Sequence, residues 1–176
     1  MPDKNFLKQL GIGISSLTFG VALSIFIYAV ASEIASGLSA WLLLGASFLL
    51  MLRFWWRYNE LFVQYLPSKN FWSFLLDFAI SFFGILAVLL VNNIQLWALA
   101  GIAAMLASML RCKLSWKDAS NKDTKKSLKM TFAGSVIMLA IMAAVFAFSY
   151  YLSSLFLSAG MLILIIIFVA YASRAT

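Results

Sequence analysis

Met51-Leu-Arg53-Phe-Trp-Trp-Arg57-Tyr-Asn-Glu60-Leu-Phe-Val-Gln64-Tyr65 runs into Leu66-Pro67-Ser68-Lys69 and out again through Asn70-Phe-Trp-Ser73-Phe-Leu-Leu-Asp77-Phe-Ala-Ile-Ser81-Phe-Phe-Gly84. Two apolar segments meet across a polar bend, which reads as a helical hairpin. Pro67 ends the first arm, because proline inside a helix removes a hydrogen bond and clashes with the preceding turn. On the first arm Arg53 and Arg57 are four residues apart, with Glu60 three further on. On the second arm Ser73, Asp77 and Ser81 recur every four. Such spacings share a helix face, so each arm carries one polar stripe. With the bend at Pro67, Arg57 and Asp77 are equidistant from it and lie at one depth. A carboxylate inside hydrocarbon needs a partner, and the expected one is Arg57, with Arg53 second. Arg53, Arg57, Glu60, Ser73, Asp77 and Ser81 together form an expected intramembrane polar seam.

The rest of the chain makes hydrocarbon the right setting. Hydrophobic residues are 64% of its 176 positions and charged residues 11%, against about a quarter charged in soluble domains. Six runs, at about 10–32, 38–60, 70–91, 94–110, 130–152 and 154–173, approach or exceed the roughly 20 apolar residues that cross a ~30 Å core. Backbone in lipid must satisfy its own hydrogen bonds, and long unalternating runs exclude a barrel. The expected fold is all-α, a polytopic membrane protein with six transmembrane helices in one domain, 1–176, without internal repeats.

With six spans, all thirteen Lys and Arg fall on one side, seven of them between Arg111 and Lys129, and the opposite connections hold only Glu33 among charged residues. Cytoplasmic connections carry such an excess, so both termini and the 111–129 segment are expected in the cytoplasm of a cell-membrane protein. The net charge of +7 then reads as a topology signal and a contact with anionic lipid, not as a nucleic-acid footprint.

Further signals refine the helices. Lys4 and Lys8 before an apolar stretch, and Ala29-Val-Ala31, imitate a secretory signal, but the stretch is about 20 residues where a signal has 7–15, so it reads as a retained first helix. Within it Ser16, Gly20 and Ser24 recur every four, a small-residue face that serves close packing or lines a narrow path. Trp55, Trp56 and Tyr58 stand where an aromatic belt belongs. Asn92-Asn93 reads as a tight turn, and Ala100, Ala104 and Ser108 as a second small-residue face. Residues 116–129 read as the longest polar loop, with Asp123 or Thr124 capping the next helix. The last span reads as lipid-facing.

The reactive inventory is thin. There is one Cys, Cys112, and no His, which removes the usual partner of a catalytic thiol or serine and the commonest metal and haem ligand. Asp77 is alone, where an intramembrane aspartyl protease needs two acids. No catalytic, cofactor-binding or metal-binding residues are expected, and the chain does not read as an enzyme.

Ser47-Phe-Leu-Leu-Met-Leu-Arg53-Phe-Trp55-Trp56-Arg57-Tyr-Asn59-Glu60-Leu61-Phe62, with the bend and the third helix after it, resembles helices 2 and 3 of the lysosomal and prokaryotic six-helix potassium channel family. That family places aromatic residues, then Asn or His, then Leu-Phe near the end of a long second helix. Helix order and a basic segment between helices 4 and 5 are also similar. The family's Phe-Ser-Asp motif of helix 1 is absent from Lys8-Gln-Leu-Gly-Ile-Gly-Ile-Ser15-Ser16-Leu-Thr18-Phe19-Gly20, so the resemblance implies a fold without carrying over pore residues. Two classes remain: a small oligomeric channel or transporter for ions, monovalent cations among them, or for small solutes, and a non-transporting accessory or structural subunit. The first expects several copies and a solvated Asp77; the second expects Asp77 permanently paired, and other membrane subunits as partners.

Overall fold

In a span without Gly or Pro breaks, the cheapest way to satisfy backbone groups in lipid is one uninterrupted helix. The computed structural model of the chain describes residues 4–63, 71–119 and 121–174, and these form six α-helices and no strand: α1 Lys4–Ala31, α2 Leu38–Tyr58, α3 Phe71–Leu89, α4 Ile94–Ser115, α5 Lys122–Phe148 and α6 Ser154–Arg174. A π-helical turn, Asn59–Val63, continues α2. The expected bend at Leu66–Lys69, Pro67 included, lies outside the described residues. Among the described residues five stretches are long and apolar enough to cross a bilayer: Leu38–Leu61, Trp72–Leu89, Ile94–Ser115, Lys122–Phe148 and Ser154–Tyr171. In α1 the described apolar stretch is Ser16–Ala31. The protein is an all-α polytopic membrane protein.

Two boundaries differ from expectation. Helix α4 runs five residues past 110, because Arg111, Cys112 and Ser115 are buried against neighbouring helices. Helix α5 begins at Lys122, two or three residues before the start that a cap at Asp123 or Thr124 would give, and is capped by Asn121, whose side chain accepts from the Asp123 backbone N–H at 3.2 Å. The lysines that follow are good helix formers, and Asp123 in the first turn complements the helix dipole. Half of the expected polar loop is therefore the opening of a long helix.

The tightest packing joins α3 to α4, α4 to α5 and α2 to α6, while α1 rests more lightly on α3 and the α2 extension. Helix α4 is central. A Cβ added at Gly101 would come within 2.9 Å of Met142 Sδ on α5, so glycine permits that approach. Leu157, Ser158, Met161 and Ile165 bury one face of α6, and only its other faces are exposed as expected.

At the end of the bundle away from the lysines, neutral groups tie the helices. Asn93 caps α4, accepting from Gln95 and Leu96 N–H groups at 3.1 Å. Asn92 Oδ1 accepts from the Ser36 N–H and hydroxyl at 2.8 and 2.9 Å, and its amide donates to the Ile34 carbonyl at 2.6 Å. This joins the α3–α4 turn to the α1–α2 connection, where Glu33 and Gly37 adopt positive φ of 51° and 93°. Deeper in, the Trp97 indole donates to Ser47 Oγ at 2.8 Å, and Ser47 donates to the Leu43 carbonyl.

Candidate functional site

Helix α4 presents Trp97, Gly101, Ala104, Ser108, Arg111 and Ser115 at alternating spacings of four and three, and all six are buried. That spacing keeps one face toward the neighbouring helices. The face begins with small residues and ends in charge. Arg111 Nε donates to Asp77 Oδ1 at 2.8 Å, and Arg111 Nη1 bonds Ser115 Oγ. Asp77 is 6% exposed and Arg111 2%, so the pair is shielded from water and lipid alike.

Arg57 is not the partner of Asp77. Its Nη1 donates to Glu60 Oε2 at 2.7 Å, its Nε to Thr131 Oγ1 at 3.1 Å, and its Nη2 to the Ser127 carbonyl and hydroxyl at 3.2 and 2.5 Å. Equal distance from the bend does not make two residues adjacent. Helix α3 packs against α4 far more closely than against α2, and Arg57 turns toward α5.

Ser127, Thr131 and Ser135 recur every four residues on α5 and lead from the Arg57 cluster toward α4. Thr131 Oγ1 donates to the Ser127 carbonyl and Ser135 Oγ to the Thr131 carbonyl, each at 3.0 Å. Since the Ser135 proton is committed there, Ser108 is the donor in the 3.0 Å Ser108–Ser135 bond. Ser108 lies one turn from Arg111. Hydroxyls and carbonyls thus run from Arg57 on α2, along α5, to Ser108 on α4, and end one turn short of its ion pair with α3.

The other expected seam residues divide. Ser73 is buried one turn before Asp77, and Arg53 is half-buried one turn before Arg57. Ser81 shares the Asp77 stripe, but its hydroxyl donates to the Asp77 carbonyl at 3.1 Å and closes on its own helix. Ser16, Gly20 and Ser24 lie on the outside of α1, in an open groove with Leu17 and Val21, and the Ser24 hydroxyl returns to the Gly20 carbonyl at 2.8 Å. Within one chain this face neither packs a helix nor lines an interior path. Trp55, expected at the aromatic belt, stacks on Phe19 of α1 at 4.4 Å with its indole nitrogen buried, whereas Trp56 is exposed.

By charge alone Arg111 groups with the loop cations, and Ser115, Ser127, Thr131 and Ser135 are not singled out. A signal was present: the four–three spacing that groups Ala104 and Ser108 continues to Arg111 and Ser115 without a break.

Chemically, the network is a set of donors matched to acceptors. It includes the ion pairs of Arg57 with Glu60 and of Arg111 with Asp77. No cluster of three His, Cys, Asp or Glu able to hold a metal occurs among the described residues. No protein-family model, curated protein or solved structure matches the chain.

Proposed function

We propose that the chain is a non-transporting membrane component, an accessory or structural subunit, in which buried charge fixes helix packing. The observation that carries this reading is the Asp77–Arg111 pair, bonded at 2.8 Å with both side chains nearly inaccessible. A carboxylate serving a conduction path is hydrated or exchanges partners with the ion. Here it is held by a guanidinium that is itself bonded to Ser115. The test is reconstitution in liposomes with monovalent-cation flux measured against protein-free vesicles. The expected result is no added flux, and a selective flux abolished by Asp77→Asn would overturn the reading.

A second reading, an oligomeric path for ions or small solutes, draws on the outward groove of Ser16, Gly20 and Ser24, since several copies could enclose together what one leaves open. Flux that falls with Gly20→Leu, together with a defined oligomer in lipid discs, would favour it over the first. Under either reading both termini are proposed to be cytoplasmic in a cell membrane, on the strength of the one-sided Lys and Arg. Single cysteines at Lys122 and Glu33 should label from opposite sides.

A further inference from the structure

Lys122, Lys125, Lys126 and Lys129 follow the spacing i, i+3, i+4, i+7 and are all exposed on the first two turns of α5. At 100° per residue they fall within one sector of the helix. The opposite sector holds Thr124, Ser127, Leu128 and Thr131, which are half-buried or buried against the protein. The lysines therefore sit on a fixed face whose rotation the packing of α5 determines.

That face does not end at Lys129. The same outward sector continues through Ala133, Val136, Ile137, Ala140, Ala144 and Ala147, all exposed and none charged. One stripe of a single unbroken helix thus changes from four lysines to aliphatic residues between Lys129 and Ala133. The change falls where a bilayer requires it. A hydrocarbon core of ~30 Å takes about 20 residues of helix. Counted back from Phe148, the last residue of α5, about 20 residues end at Lys129. The four lysines then rise through roughly 10 Å beyond the core, while the headgroup layer of one leaflet is roughly 5–8 Å thick. Trp116, exposed at the adjacent C-terminal end of α4, is the amphipathic residue type that settles at this level.

We infer that the lysine face of α5 is a binding surface for the headgroups of anionic phospholipids in the surrounding leaflet, with the acyl chains lying along the aliphatic continuation of the same stripe. Charge complementarity and the matched lengths select this occupant. A soluble polyanion would engage the lysines but leave the aliphatic stripe without a role. A free phosphate would need convergent donors, and four lysines along 10 Å of one helix face diverge. The inference rests on the membrane-embedded fold and holds for both functional readings.

The test uses the full chain in phosphatidylcholine bilayers with trace spin-labelled phosphatidylglycerol or phosphatidylcholine, comparing the association constants of the two labels at the protein surface. Wild type should prefer the anionic label by at least about five-fold, the factor given by ~1 kcal/mol for one lysine at an anionic surface. K122Q/K125Q/K126Q/K129Q should bring the ratio close to one. Replacing the same four by Arg should keep the preference, which separates charge from any effect of substitution on folding. An unchanged preference in the Gln variant, or equal association of both labels with wild type, would overturn the inference. So would displacement of the label by inorganic phosphate at matched charge, which would indicate a site for a small free anion. A Gln variant that loses self-association but keeps its lipid preference would assign the face to a second copy, and would overturn it as well.

Discussion

At the lysine-rich end of the bundle four helices meet around charge: Arg57 bridges α2 to α5, and Arg111 bridges α4 to α3. At the opposite end the equivalent connections are neutral, with Asn92 bonding Ser36 and Ile34, and Trp97 bonding Ser47. Both ends satisfy buried or constrained polar groups, but removal of a partner has different consequences. A neutral acceptor left alone loses roughly 1–3 kcal/mol, whereas a desolvated charge left alone loses more. The contrast implies that the charged end depends on each partner individually, while the neutral end tolerates single losses.

The largest expected effect tests this directly. Arg111→Ala removes the guanidinium bonded to Asp77 in a site with almost no access to water, and should lower stability by about 3–5 kcal/mol. Asp77→Asn should cost less, because Asn keeps an acceptor for Arg111, and Arg111→Met combined with Asp77→Leu should recover most of the loss. Reversible unfolding in mixed micelles gives these values. A recovery no better than additive would remove the pair from its central place.

Next in size is Arg57→Ala, at about 2 kcal/mol. The partners its guanidinium leaves are hydroxyls, a carbonyl and Glu60, whose side chain is 39% exposed. Water reaches that carboxylate. If Arg57→Ala proved costlier than Arg111→Ala, burial of the acid would not be what separates the two clusters.

Asn92→Ala, at the neutral end, should cost about 1–2 kcal/mol. It removes three bonds, but between groups that are exposed. Its signature should be local: faster hydrogen exchange in the α1–α2 connection, with protection of α4 near Arg111 unchanged. Loss of protection at both ends would show that they are not energetically separate.

How far these elements were legible from sequence depended on the range of the signal. The helices follow from hydropathy over about twenty residues, a local property, and the Asn92-Asn93 turn follows from turn chemistry. The start of α5 inside the polar segment is legible to within two or three residues, since Asn121, Asp123 and Thr124 are all capping types and the structure uses Asn121. The acid of the site was legible, since a carboxylate set in an apolar run, as Asp77 is, requires a partner inside the protein. The identity of that partner was not, because depth along a hairpin is fixed by chain length, whereas adjacency depends on which helices pack most closely. Helix α3, joined to α4 by the short Asn92-Asn93 turn, packs far more closely on α4 than on α2. The face that carries Arg111 was visible only once Ala104, Ser108, Arg111 and Ser115 were read as one stripe crossing the expected end of the span.

The smallest expected effect concerns Ser81, which the i, i+4, i+8 pattern groups with Ser73 and Asp77 as one polar stripe. Shared spacing establishes a shared face but not a shared bond. The Ser81 hydroxyl donates to the Asp77 carbonyl, an acceptor already engaged by the helix, and not to the carboxylate held by Arg111. Such back-bonding contributes little and bends helices slightly. Ser81→Ala should therefore change stability by no more than about 0.5 kcal/mol, the range of substitutions that touch no buried network. The informative measurement is a double-mutant cycle with Arg111→Ala. Residues that share no partner add within about 0.3–0.5 kcal/mol. A coupling energy well above that would mean that Ser81 reaches the ion pair after all, and that the charged end extends a full turn further along α3 than the bonds around Arg111 imply.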